Sequence, residues 1–240
     1  MMNQLDFSFE KITGVGFFGV IAEINGILWI IGFILCAAIA YLLGSFNFGI
    51  IISKYKFRED IRARGSGNAG MTNMMRTYGN AAAGFTLFGD AMKAIIAALI
   101  GTILNGEMGA YAAGFFCILG HVYPLYFKFK GGKGVAATAA LILFLNPVVF
   151  LVLLLMFVII LGFTKYLSLA SIMCMLIYPF LLYRMSGQIG IIQLAFALAI
   201  SVFVVFLHHE NISRLLAGTE NKFSFKKSKS LKNEDKKDKQ

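Results

Sequence analysis

The sequence predicts an all-α integral membrane protein of about seven transmembrane helices, N-out and C-in, with its active site at the cytoplasmic face. Three observations predict it. Of the 240 residues, 58% are hydrophobic and only 14% charged, and the mean hydropathy is +0.76, well outside the range of a water-soluble domain. The apolar residues fall into runs approaching the roughly 20 needed to cross a hydrocarbon core about 30 Å thick. The basic residues between those runs gather at alternate junctions, as charges kept on the cytoplasmic side do.

The first 25 residues are acidic and aromatic, lack the positive start of a cleavable signal peptide, and are expected to form an extracytoplasmic segment. Apolar runs then follow at about 26–52, 81–104, 108–120, 135–146, 147–163, 167–183 and 190–207, giving a single membrane domain over 26–220. The third and fourth runs are short, so either each is extended by the polar motif beside it or one is re-entrant. The Lys and Arg residues of 54–76 and 128–133, Lys165, and Arg214 onward fall on one side, against Lys11 and Arg184 on the other. That asymmetry puts the basic loops inside, and an odd number of spans puts the termini on opposite sides.

The tail, 221–240, holds eight Lys against Glu234, Asp235 and Asp238, a surplus of five that is half the net charge of +10. It reads as a basic, solvated cytoplasmic segment, and no nucleic acid is expected as a partner. Cys36, Cys117 and Cys174 lie inside apolar runs without metal-ligand or disulfide spacing. No metal site and no cofactor are expected.

The densest chemical signal is the stretch 62–76, with Arg62, Arg64, Gly65, Ser66, Gly67, Asn68, Gly70, Thr72, Asn73 and Arg76. It contains GxGxxG, yet no strand precedes it and no βαβ unit can follow, so a dinucleotide site is excluded. The underlying physics remains: glycines let backbone N–H groups approach an anion, Thr72 can cap a following helix, and the three arginines can grip phosphate bidentately. A second cluster, 120–135, combines His121, Lys128, Lys130, Gly131, Gly132, Lys133 and Gly134 ahead of another helix start. Polar islands at 164–171 and 208–220 lie on the same face, so four islands can converge on one pocket. Asp90 and Lys93, at i and i+3 within a span, are read as neutralising one another where ionised groups are expensive, with a role toward the substrate as the alternative.

Together these stretches resemble the bacterial acyl-phosphate:glycerol-3-phosphate acyltransferase family, often called PlsY. The likeness runs from Tyr41 to Ser45, through Asp60 to Arg62, Gly65 to Arg76, Asp90 with Lys93, Gly120 to Val135, Ser168 to Ser171, and His209 to Glu220. Met71 and Asn47 depart from it, at positions where Ala and Pro are expected. The resemblance implies seven spans in the bacterial inner membrane and two substrates, acyl phosphate and glycerol 3-phosphate. It further implies a membrane-lipid surrounding and a functional link to the soluble enzyme that makes acyl phosphate. Carried over residue by residue, it places Ser66, Asn68, Thr72, Asn73 and Arg76, with Gly65 and Gly67, around one phosphate. His121 and Lys133, with Gly131 and Gly132, fall around the other phosphate or the reacting carbonyl. Ser168, Asn211 and Glu220 complete the wall. Ser66, Arg76, His121 and Lys133 are the expected catalytic residues. Two other classes use similar features: an anion transporter and a scaffold for phospholipid headgroups.

Overall fold

The computed structural model describes residues 14–22, 26–187 and 189–223, which are helix and loop with no strand among them. Most of the expected extracytoplasmic segment and nearly all of the lysine tail lie outside the described residues. A short helix, α1 (Phe17–Ala22), precedes α2 (Gly26–Gly44). The first predicted span breaks after Gly44, before its expected end. There Ser45 Oγ donates back to Tyr41 O at 2.8 Å, and the Asn47 side chain accepts from Ile50 N at 3.2 Å. These two polar residues end one helix and cap the next, α3 (Phe48–Phe57), because their side chains compete locally for backbone groups.

A 3-10 turn (Ile61–Ala63) and α4 (Met71–Tyr78) follow, then α5 (Asn80–Val122). Its 43 residues are two antiparallel arms that reverse at Asn105 and Gly106, where the helical dihedrals fail and Gly106 adopts φ +63. Beyond the reversal the arms touch: a Cβ on Gly101 would stand 2.2 Å from Gly109 O, and Cys117 Sγ lies 3.7 Å from Lys93 O. Helix α2 seats against the second arm just as closely. Cβ atoms on Gly44 and Gly120 would stand 2.1 Å from Cys117 O and 2.2 Å from Tyr41 O. With Ala94, Ala97, Ala98 and Ala113 fully buried, helix backbones meet through small residues, the means of association available where surrounding lipid is as apolar as leucine.

After a second 3-10 turn (Leu125–Phe127) come α6 (Val135–Leu145), α7 (Pro147–Thr164), α8 (Leu167–Met185), α9 (Ile191–Phe206) and α10 (His209–Leu216). Their boundaries lie close to the predicted runs. Pro147 opens α7 at a position that loses no helical hydrogen bond, and Asn146 caps it through Val149 N at 3.1 Å. Large apolar side chains, among them Ile34, Phe88, Leu155, Phe180 and Val202, face outward. Among the described residues, four helical stretches are long and apolar enough to cross a membrane: Gly26–Phe57, Asn80–Phe127, Pro147–Thr164 and Leu167–Met185. The pair α9 and α10, bent by 57° at their junction, makes a fifth if counted as one.

Candidate active site

The loop before α4 is built by its own polar side chains. Asp60 accepts from Arg62 N at 3.0 Å and pairs with the Arg62 guanidinium at 2.7 and 2.9 Å. That pairing outweighs partial burial and holds the Asp60 carboxyl down at about 2. Arg62 Nη1 also donates to Phe127 O at 2.7 Å and Lys130 O at 2.8 Å. Arg62 therefore staples the two glycine-rich loops together. Arg64 is held bidentately by Glu59 at 2.7 and 3.0 Å. Of the three arginines expected to grip phosphate, only Arg76 forms no ion pair among the described residues and lines the cavity.

Asn73 is also an organiser. Buried, it accepts from Ser66 N at 3.0 Å and turns its amide nitrogen to Ile61 O, Arg64 O and Asn68 O within 3.2 Å. A side chain on Gly65 (φ +56) would meet Asn73 Oδ1 at 2.2 Å, so glycine there serves both the turn and this bond. Thr72 does not cap α4. The N-cap is Gly70, with no side-chain bond, so no side chain caps the first turn of α4, and Thr72 lines the cavity.

The second loop is pinned to the end of α5. Gly131 N donates to Val122 O at 2.9 Å and Gly132 N to His121 O at 3.2 Å. A Cβ on Gly131 would stand 1.9 Å from His121 O, and one on Gly132 2.3 Å from His121 Nε2. Gly134 (φ +75) then caps α6. Lys133, between them, donates to Asn211 Oδ1. Asn211 and Ser168 each donate to Glu220 Oε1, at 2.7 and 2.8 Å, and Arg214 donates to Glu220 Oε2 at 2.7 Å. Burial pushes the Glu220 carboxyl up, but those three bonds outweigh it and hold the group below its ordinary range. Burial and the neighbouring Arg214 push the Lys133 ammonium below its usual value.

These loops border one cavity of about 700 Å³. Of the expected site residues, Ser66, Gly67, Asn68, Thr72, Asn73, Arg76, His121, Gly131, Lys133, Ser168, Asn211 and Glu220 line it, whereas Gly65 and Gly132 do not. First-turn residues of four helices face it: Thr72 of α4, Val135 of α6, Ser168 of α8 and Asn211 of α10. Four helix N-termini with Arg76 and Lys133, and with Arg214 paired to Glu220 at 2.7 Å and Glu210 at 3.8 Å, give the floor donors suited to phosphate. Away from that floor the cavity continues as an apolar arm past Ile142, Phe150, Leu153, Phe157, Leu161 and Met175.

Arg214, His208 and Ser171, expected only as members of the polar islands, Asp90, expected chiefly as an ion-pair partner, and Thr138, which sequence reasoning did not single out, also line the cavity. His208 Nδ1 lies 2.7 Å from Val204 O; a carbonyl only accepts, so Nδ1 carries the proton. The available signal was position: Ser171 and Thr138 lie one turn into helices whose starts were already suspected. Among the described residues no group of three or more His, Cys, Asp or Glu is placed to hold a metal ion. All three cysteines are free and buried.

Residues 34–218 match the family model for glycerol-3-phosphate acyltransferase. A glycerol-3-phosphate acyltransferase of Carboxydothermus hydrogenoformans is 39% identical over 81% of this chain and 98% of its own length. That of Clostridioides difficile is 37% identical over 82% and 98%. The crystal structure of PlsY, an integral membrane glycerol 3-phosphate acyltransferase, superposes in its glycerol 3-phosphate form with a TM-score of 0.75. It is 36% identical and covers 80% of this chain and 96% of that one. The lysophosphatidic acid form gives a TM-score of 0.72 at 34% identity. With this family match over most of the chain, apolar helices of spanning length and a phosphate-suited cavity, the chain belongs to the glycerol-3-phosphate acyltransferase family of multi-pass membrane enzymes.

Proposed function

We propose that this chain transfers a fatty acyl group from acyl phosphate to the 1-hydroxyl of glycerol 3-phosphate, giving lysophosphatidic acid and inorganic phosphate. It is the first acylation of phospholipid synthesis, carried out at the cytoplasmic face of a bacterial inner membrane. One observation carries the reading: a single cavity joins four helix N-termini and three cationic side chains to an apolar arm. A soluble phosphate ester needs only the first part, and a fatty chain only the second. A substrate with both ends needs the join.

Arg76, Ser66, Asn68 and Thr72 at the start of α4 hold one phosphate. Lys133 and the start of α6 hold the other, and the chain lies along Phe150, Leu153, Phe157 and Met175, reached sideways from the inner leaflet. Acyl phosphate is already activated, so the protein chiefly aligns hydroxyl against carbonyl and stabilises the developing oxyanion. The glycerol oxygen bonds the carbonyl carbon as the carbon–oxygen bond to phosphate breaks. The hydroxyl proton ends on the departing phosphate, directly or through His121. Transfer is direct, without an acyl-Ser66. The chain passes the membrane seven times, as α2, the two arms of α5, and α6 to α9, with the amino terminus outside.

The test is phosphate release by the purified protein from palmitoyl phosphate. Release requires glycerol 3-phosphate and disappears in Arg76→Ala. Well-folded protein that releases none, but carries glycerol 3-phosphate unchanged into sealed vesicles, would replace this reading with transport.

A further inference from the structure

The mechanism above gives no role to Asp90 and Lys93, the buried ion pair beside His121. Lys93 Nζ, 4% exposed, lies 2.9 Å from Gly44 O, 2.8 Å from Phe46 O, 2.9 Å from Asp90 Oδ1 and 2.9 Å from His121 Nδ1. His121 Nδ1 is 3.4 Å from the same carboxylate oxygen, which also faces Phe48 N at 3.4 Å. An ammonium has three hydrogens. The two carbonyls only accept and take two; the third lies between Asp90 and His121.

Two nitrogens 2.9 Å apart can have only one proton between them. Placing it on the imidazole leaves a neutral amine against the closer carboxylate contact, 2.9 Å against 3.4 Å. It also takes the proton from the group of higher intrinsic affinity, about 10.4 for lysine against about 6.5 for histidine. Gly44 O belongs to the last turn of α2, where the helix dipole favours a cation as well. The proton therefore stays on Lys93, and His121 Nδ1 accepts.

We propose that Lys93 and Asp90 are positioning residues that lock His121 as the tautomer with a bare Nδ1 and a protonated Nε2. His121 is then a hydrogen-bond donor to the negative oxygen of the substrate and not its base. This rests on the acyl-transfer reading and removes His121 from the proton's path. The geometry beyond the ring agrees. Nε2 lies over Gly132, whose missing side chain makes room for it, on the loop that carries Lys133. The same node joins the end of α2, the start of α3, both arms of α5 and, through His121 O, that loop.

The chain has three histidines, so nitrogen NMR of the full-length, 15N-histidine-labelled protein in detergent micelles resolves each ring, His121 being assigned by loss in His121→Gln. Between about pH 6 and 8 the His121 ring keeps a bare Nδ1 and a protonated Nε2, and Lys93→Met loses that fixed pattern. An imidazolium, or an Nδ1–H ring, in the unmodified protein overturns the proposal, whether or not Lys93→Met folds. In turnover, His121→Leu lowers kcat about 100-fold, and His121→Gln, which puts an amide donor near Nε2 but cannot accept a proton, recovers about tenfold of that. Equal rates for the two variants also overturn it. The ring signals are read without turnover, so the expected tautomer in a protein that releases no phosphate would remove the acyl-transfer reading, and the donor role with it, and leave the tautomer locked by Lys93 and Asp90.

Discussion

Arg62 and Arg76 carry the same guanidinium and meet opposite fates. Arg62 is saturated by Asp60 and two backbone carbonyls, while Arg76, half-buried, lines the cavity without an ion-pair partner among the described residues. Arg76→Ala should therefore cost about 100-fold or more in kcat/KM with the melting temperature nearly unchanged, as phosphate-release assays and thermal unfolding in detergent would measure. Arg62→Met should lower melting temperature and activity together, because it unties the two loops. The Asp60 carboxyl sits at about 2 against an ordinary 3.8, so its contribution to stability is complete above the ordinary value. It fades as pH falls from there toward about 2, and Asp60→Asn should flatten that part of a melting-temperature curve. Sequence could place these arginines in one motif, but not divide them. The dividing facts are the distant partners Phe127 O and Lys130 O, which no local pattern announces.

At the scale of elements, the chain's helices were legible wherever an apolar run was bounded by a proline, a glycine or a charge, as at Pro147 and Leu167. The break after Gly44 was missed because Ser45 and Asn47 are short interruptions in an otherwise apolar stretch, and only their backbone bonds turn them into a boundary. The site was legible as four polar islands, since each abuts a helix start. That Asn73 serves the loop, and that Glu220 gathers Ser168, Asn211 and Arg214, required the fold. The junction between α5 and α6 has no slack. Gly131→Ala places a methyl 1.9 Å from a backbone oxygen that cannot turn aside, and should abolish phosphate release. Along the apolar arm, Leu153→Trp or Met175→Trp should shift the preference toward shorter acyl phosphates, seen as a change in relative kcat/KM across a chain-length series.

For the whole molecule, the loops bearing the site lie on one face, and the junctions at 105–106, 145–147 and 185–187 lie on the other. With the buried native cysteines replaced, a cysteine at Ser186 should react with an impermeant thiol reagent in intact cells, and one at Lys130 only after lysis. The reverse pattern would invert the proposed orientation. The positions where helices meet through glycine and alanine have a different consequence. Gly44, Gly101, Gly109 and Gly120 each present bare backbone to another helix at a distance no methyl can share, while residues such as Ile34, Leu155 and Val202 face outward. A library of all single substitutions should thus give a tolerance map turned inside out relative to a water-soluble enzyme. The smallest side chains would be the least replaceable, and the bulkiest hydrocarbons would drift freely so long as they stay greasy.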